Sequence, residues 1–237
     1  MDTSANCNLC ANCIKACPND AIAVRTRKPL SELWFLDKPK IEESFLAMAI
    51  MGIVLIQNLT MLSIWTDVLD WIKATTGITS YPVTFTVAFV LAVGLPVGMV
   101  ALASRVAARG NLESTWQDFA RFGYALIPLD IAAHLAHNLF HLLAEGGVVF
   151  PSIASLFGFA PAVASTALAS PGTILFLQLL ILGLGVAGSA YTIHRITNRR
   201  YGSLVRRRAT ATPYLVLLGV LAVMNTYLFL MPMSHRM

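Results

Sequence analysis

The chain has 237 residues and a formal net charge of +5, with 57% hydrophobic and only 12% charged side chains. A soluble domain carries about 25% charge, so this composition excludes an ordinary globular protein and fits several transmembrane helices. The positive charge does not point to nucleic acid, because the basic residues cluster between apolar stretches and read as topology signals.

All four cysteines lie in the first 17 residues, spaced C-x2-C-x2-C-x3-C-P: Cys7, Cys10, Cys13 and Cys17, then Pro18. Short gaps between thiolates let one loop wrap a cluster corner, which makes these four the predicted metal ligands of a [4Fe–4S] cluster. Zinc is the competing reading, but structural zinc sites use two separated Cys/His pairs and four cysteines this close are tight for that. Thiolate ligands call for a reducing compartment, so this end is expected in the cytoplasm.

Those residues, with Ala21-Ile22 and a short strand-like Ala23-Val24, resemble the ligand run of bacterial-type ferredoxins over residues 5–25. In two-cluster ferredoxins the fourth cysteine of such a run ligates the other cluster, and this chain has one run. Either Cys17 bends back to complete a single cluster, or the segment is half of a larger site. A ferredoxin-like or redox partner subunit, a second copy in a homodimer, or a longer parent chain would then complete it. So short a segment has little core of its own, which favours docking. The expected organisation is a ferredoxin-like segment at 1–30, a linker at 31–43 and a transmembrane helical domain at 44–237.

Five apolar stretches are long enough to cross about 30 Å of hydrocarbon: 44–65, 84–104, 119–143, 173–194 and 214–231. With five spans, fifteen basic residues fall on the side of the cysteines and two on the other. The positive side is cytoplasmic, in agreement with the redox argument, and the predicted fold class is a mainly α, five-span membrane bundle in the inner (cytoplasmic) membrane. The uncharged stretch 148–170, divided by Pro151 and Pro161, is expected to be interfacial or re-entrant on the outer face. Trp34, Phe35, Trp65, Trp71 and Tyr81 sit where an aromatic belt would meet lipid. Gly94 with Gly98, and Gly185 with Ser189, have the spacing that lets helices approach closely.

The third span carries Asp130, His134, His137 and His141. At about 100° per residue these fall within about 60° of one another, and Glu145 extends the stripe. Ionisable side chains in a bilayer cost about 2.5–3.5 kcal/mol each on insertion scales, so they face a cavity, cofactor or partner. The bland reading is a hydrogen-bonded packing seam. Gln57, Asn58, Gln178 and Asn225 are expected at the same depth, which predicts a polar chamber in the outer half of the bundle. Asp130, His134, His137 and His141 are therefore the candidate catalytic residues, and the three histidines the candidate cofactor ligands. A quinone would use the stripe as hydrogen-bond donor and proton acceptor. Haem b would use a histidine as axial ligand, with His235 a weak candidate for the second. A non-haem metal suits three histidines as well.

Membrane helices joined to a ferredoxin motif are similar in architecture to membrane polyferredoxins of the NapH, NosR and CcoG type. In NapH-like proteins the motifs follow the helices, whereas here the motif precedes them. The resemblance implies electron transfer linked to quinol or to metalloenzyme maturation. The expected function is electron transfer between a cytoplasmic [4Fe–4S] cluster and a quinone or haem in the membrane. The alternative is a membrane anchor or assembly factor with a ferredoxin-like docking head. His141 lies far from the cysteines across the hydrocarbon, so the two sites need something between them. Walker and GxSxG signatures are absent.

Overall fold

A computed structural model describes residues 7–8, 10–19, 21–23, 26, 28–35, 38–159 and 167–231. Among these the chain is helical and holds no strand. The elements are α1 (Asn12–Lys15), α2 (Ser31–Phe35), α3 (Ile41–Thr60), α4 (Ile64–Thr76), α5 (Tyr81–Asn111), α6 (Thr115–Glu145), α7 (Val149–Leu156), α8 (Pro171–Arg200) and α9 (Leu204–Leu230). The strand-like Ala23-Val24 is not tested, because Val24 lies outside the described residues.

Five helices are long and apolar enough to cross a membrane: α3, α5, α6 (continuing into α7), α8 and α9. Their starts are written locally. Pro82 and Pro171 occupy first-turn positions, where the missing N–H is no loss. Ser170 accepts the Thr173 N–H and Ser203 the Arg206 N–H, capping α8 and α9.

Helix α6 is the hub and packs against α3, α5, α8 and α9. Lipid tails are as apolar as leucine, so helix association here rests on close packing and interhelical hydrogen bonds. At Gly185 of α8 an added Cβ would lie 2.3 Å from Ala132 Cβ and 2.9 Å from the Pro128 carbonyl. Beside it the Leu129 N–H donates to Ser189 Oγ at 3.1 Å, next to the proline that interrupts the α6 ladder. Gly185 and Ser189 are thus the close approach that their spacing predicts. Gly94 and Gly98 are not: a Cβ at either would meet nothing within 4 Å. The α3–α5 approach is made instead by Gly52, whose added Cβ would stand 2.4 Å from Val93 Cα. Tyr214 of α9 stacks on Phe122 of α6 with ring centroids 4.0 Å apart and donates to Ser104 Oγ of α5 at 2.9 Å.

Two stretches depart from the expected layout. The first span ends at Thr60, and the chain turns into the separate amphipathic helix α4. Trp65 and Leu69 are buried there, Trp65 meeting Phe85 of α5 edge-on, while Trp71 stays exposed. Asp67, Asp70 and Lys73 interrupt the apolar run, so continuing the span would bury charge. The expected linker at 31–43 contains α2, which docks on α6 and α8. Trp34 lies under the Arg195 guanidinium at 4.4 Å, and Phe35 under Arg199 at 4.7 Å. The 148–170 stretch begins with α7, whose Phe150, Ile153 and Leu156 are exposed; residues 160–166 lie outside the described residues.

Candidate functional site

None of the four cysteines forms a disulfide; Cys7, Cys10 and Cys13 are exposed and Cys17 is half-buried. The segment turns through Ala11, held at φ +59°, into α1. The Ala21 N–H donates to Cys17 Sγ at 3.4 Å. Among the described residues no three His, Cys, Asp or Glu side chains converge on one metal-sized point. In donor chemistry the loop fits an iron–sulfur group: four sulfur ligands on one short stretch, with one sulfur already accepting a backbone N–H.

The α6 stripe faces α3, and its members have different surroundings. Asp130 is 5% exposed, with Oδ1 lacking any hydrogen-bond partner. His134 Nδ1 is likewise buried and unpartnered. His137 is 7% exposed, and its Nδ1 lies 3.0 Å from Asn58 Oδ1 of α3. The Asn58 amide nitrogen donates to the Val54 carbonyl at 2.9 Å. That contact fixes the amide's orientation, leaves the oxygen toward the ring, and so makes His137 Nδ1 the protonated nitrogen. The His137 and His141 rings meet edge to face at 5.0 Å, and His141 Nδ1 lies 3.1 Å from Glu145 Oε2.

The expected outer chamber does not gather. Of its members only Asn58 meets the stripe. Gln178 donates to the Ala136 carbonyl, Asn225 donates to Leu221 within α9, and Gln57 is exposed. His235 lies outside the described residues.

A groove of roughly 380 Å³ opens between α3 and α6 in place of that chamber, lined by Glu43, Ala47, Ile50, Ile127, Asp130 and His134 among others. It runs from the first turn of α3 to the midpoint of α6. At its mouth Tyr124 donates to Glu43, and the Lys40 N–H donates to the Tyr124 hydroxyl at 3.4 Å. Ile127 and Ile131 also line a second groove on the other side, whose remaining wall is residues 28–33 and Pro128. The segment following the cysteines therefore lies one ridge of side chains away from Asp130. Glu43 and Tyr124 were not among the expected site residues; an acidic side chain immediately before the expected first span was the available signal.

A second cluster joins two loops at the cysteine end. Glu113 accepts from Arg121 at 2.9 Å and from Arg200 at 2.8 Å. Asn111 donates to Asp118 Oδ2 at 2.7 Å and to the Tyr201 hydroxyl at 3.0 Å, while Arg207 donates to the Tyr201 carbonyl. Burial alone would raise the Glu113 carboxyl, but hydrogen bonds from Arg200 and Arg121 outweigh it and hold it below its ordinary range. Burial, with the Asp118 charge behind it, pushes the Tyr201 phenol up to about 12. Counting only basic residues for topology hid this cluster, whose signal was Glu113 and Asp118 in an otherwise positive loop.

These features define a multi-pass helical membrane protein with five spans among the described residues, a cysteine-bearing loop and an apolar groove in the bundle wall. Neither a protein-family model, nor a curated protein, nor a solved structure matches the chain.

Proposed function

We propose that this protein transfers electrons between a [4Fe–4S] cluster held by Cys7, Cys10, Cys13 and Cys17 and a quinone bound in the groove between α3 and α6. The observation that carries the reading is Asp130: a buried carboxyl with an unpartnered oxygen, lining an apolar groove in the bundle wall. A buried polar atom left unpaired costs about 1–3 kcal/mol; a quinol hydroxyl would donate to it, and a quinone oxygen would accept from it when the acid is protonated. His134 Nδ1 supplies a second polar contact, and Leu46, Ile50 and Ile127 an apolar wall for the ring and tail. When bound, the cluster supplies one-electron redox chemistry. The chain positions the quinone, gives its oxygens polar partners, and brings residues 28–33 against the same stretch of α6.

The haem reading is weaker on these positions. Gly188 of α8 packs against Pro128, and His194 lies six residues further toward the cysteine end. His134 lies six residues the other way, so about 18 Å of helix rise separates the two. His194 is exposed and bonds Asn198. In the cell the charge bias puts the cysteine segment on the cytoplasmic side of the inner membrane. There a ferredoxin-like redox subunit, or a second copy of the chain, would cover its exposed thiols.

The test is anaerobic reduction of the cluster by a short-chain quinol, followed by bleaching of the visible iron–thiolate absorption. Wild-type protein is expected to bleach. Asp130→Leu with His134→Leu should keep its iron and bleach about ten- to a hundredfold more slowly, the loss of one to two polar contacts. A cluster that dithionite reduces and no quinol does would sink this reading and leave the anchor or assembly-factor alternative.

A further inference from the structure

We propose that α6 carries a one-sided proton route from the groove to the face opposite the cysteine segment, through His134, His137, His141 and Glu145. The inference rests on the quinone reading for its use, but not for its geometry. Successive members are three or four residues apart, so each side chain stacks over the next along one face of the helix.

Exposure is greatest at the outer end of the series, with His134 half-buried between two buried members. Asp130 and His137 are 5% and 7% exposed, whereas the side chains of His141 and Glu145 are 38% and 58% exposed. At the inner end Asp130 and His134 both line the groove, and Asp130 Oδ1 and His134 Nδ1 are buried without a hydrogen-bond partner. The middle is set by Asn58, which fixes the proton on His137 Nδ1 and leaves Nε2 as the accepting nitrogen. From His137 the ring of His141 is in contact, and from His141 the Glu145 carboxylate is at hydrogen-bond distance.

Toward the cysteine end the relay stops. The next titratable group on α6 is Tyr124, about 9 Å of helix rise from Asp130, and it is committed to Glu43. The groove wall between Glu43 and Asp130 is Leu46, Ala47, Ile50 and Ile127, none of which can pass a proton. Of the other elements packed on this stretch of α6, α3 and α8 bring Asn58 and Gln178, which do not titrate, and the segment around α2 brings Lys28 and Glu32, which line the separate groove on the far side of Ile127 and Ile131.

Oxidation of a quinol yields a quinone, two electrons and two protons. The electrons leave one at a time toward the cysteine-bound cluster and a one-electron acceptor beyond it. The two protons leave the ring oxygens to Asp130 and His134 and pass to Glu145 at the opposite face. Quinone reduction runs the same path in reverse. Either direction separates charge across the membrane, an activity that electron transfer alone does not require.

The test uses the full chain with ring-¹⁵N histidine in lipid nanodiscs and reads exchange of the His137 ring proton with solvent. His141→Phe should slow that exchange about a hundredfold, the size of effect a positioned relay group has. Glu145→Gln, at an exposed site that leaves packing untouched, should slow it in the same direction. His194→Phe, at an exposed position toward the cysteine end and outside the route, should leave it unchanged. Equal exchange in wild type and His141→Phe overturns the route. So does exchange that depends on His134 and not on His141, because the proton would then enter through the groove. If quinol fails to reduce the cluster while exchange still depends on His141, the quinone reading falls and the route stands.

Discussion

Asn58 sets the tautomer of His137: its amide oxygen lies 3.0 Å from Nδ1, and its amide nitrogen is tied to Val54 one turn back. A residue that looks like one more polar side chain in an apolar helix therefore determines which ring nitrogen can accept a proton. Asn58→Leu leaves a buried N–H without a partner and should cost about 1–3 kcal/mol. The ¹⁵N shifts of His137 should move from a single Nδ1–H form to a mixture of tautomers. An unchanged single form would show that something other than Asn58 holds the ring.

Gly185 and Gly98 provide a matched pair. Gly185→Ala places a methyl on Ala132 and Pro128, so α8 must back away from α6; about 1–3 kcal/mol of stability should be lost. Gly98→Ala meets no atom within 4 Å and should change stability by less than about 0.5 kcal/mol. Thermal melts in detergent compare the two directly. Equal losses would mean that Gly98 faces a second chain.

Glu113 makes the loop cluster sensitive to acid. Its folded carboxyl titrates below the ordinary carboxylate range, so between the folded and unfolded pKa values the unfolded state binds more protons. The contribution is therefore complete above the unfolded pKa and is lost as pH falls through the folded one. Glu113→Gln should remove about 1.5–3 kcal/mol at neutral pH and flatten the acid limb of the melting profile. An acid limb identical to wild type would place the acid sensitivity elsewhere.

Cys10→Ser tests the cysteine loop without touching the bundle. Iron per chain should fall to near zero, with the visible absorption lost and the far-UV helical signal intact. Full iron retention would remove Cys10 from the ligand set. Zinc in place of iron in wild-type protein prepared without oxygen would revive the competing metal.

Much of the architecture was legible because bilayer crossing imposes a length and a composition that few other constraints mimic. Each of the five observed spans overlaps its expected stretch: α5, α6 and α8 extend beyond it at both ends, and α3 and α9 start earlier and end short of it. Helix periodicity also put Asp130, His134, His137 and His141 on one face, which is the face turned to α3. What the pattern could not convey was which neighbour each polar residue meets. Gln57 and Asn58 are adjacent, yet only Asn58 turns inward. Gly94 and Gly98 have the spacing of a packing motif, yet the approach falls at Gly52, which has no such partner. α4 was missed because its apolar side continues the hydrophobicity of α3, and only its polar side marks the turn away. These outcomes depend on helix rotation and pairing, and a one-dimensional pattern carries neither.

The loop cluster also bears on biogenesis. Glu113, Asp118 and Arg121 are synthesised long before Arg200, Tyr201 and Arg207, the groups that complete their pairing. Until the last helical hairpin enters the bilayer, Glu113 lacks one of its two arginines and Asn111 lacks the Tyr201 hydroxyl. The last hairpin thus acts as a latch on the whole insertion sequence, and a nascent chain stopped before residue 200 exposes that defect to the quality-control machinery.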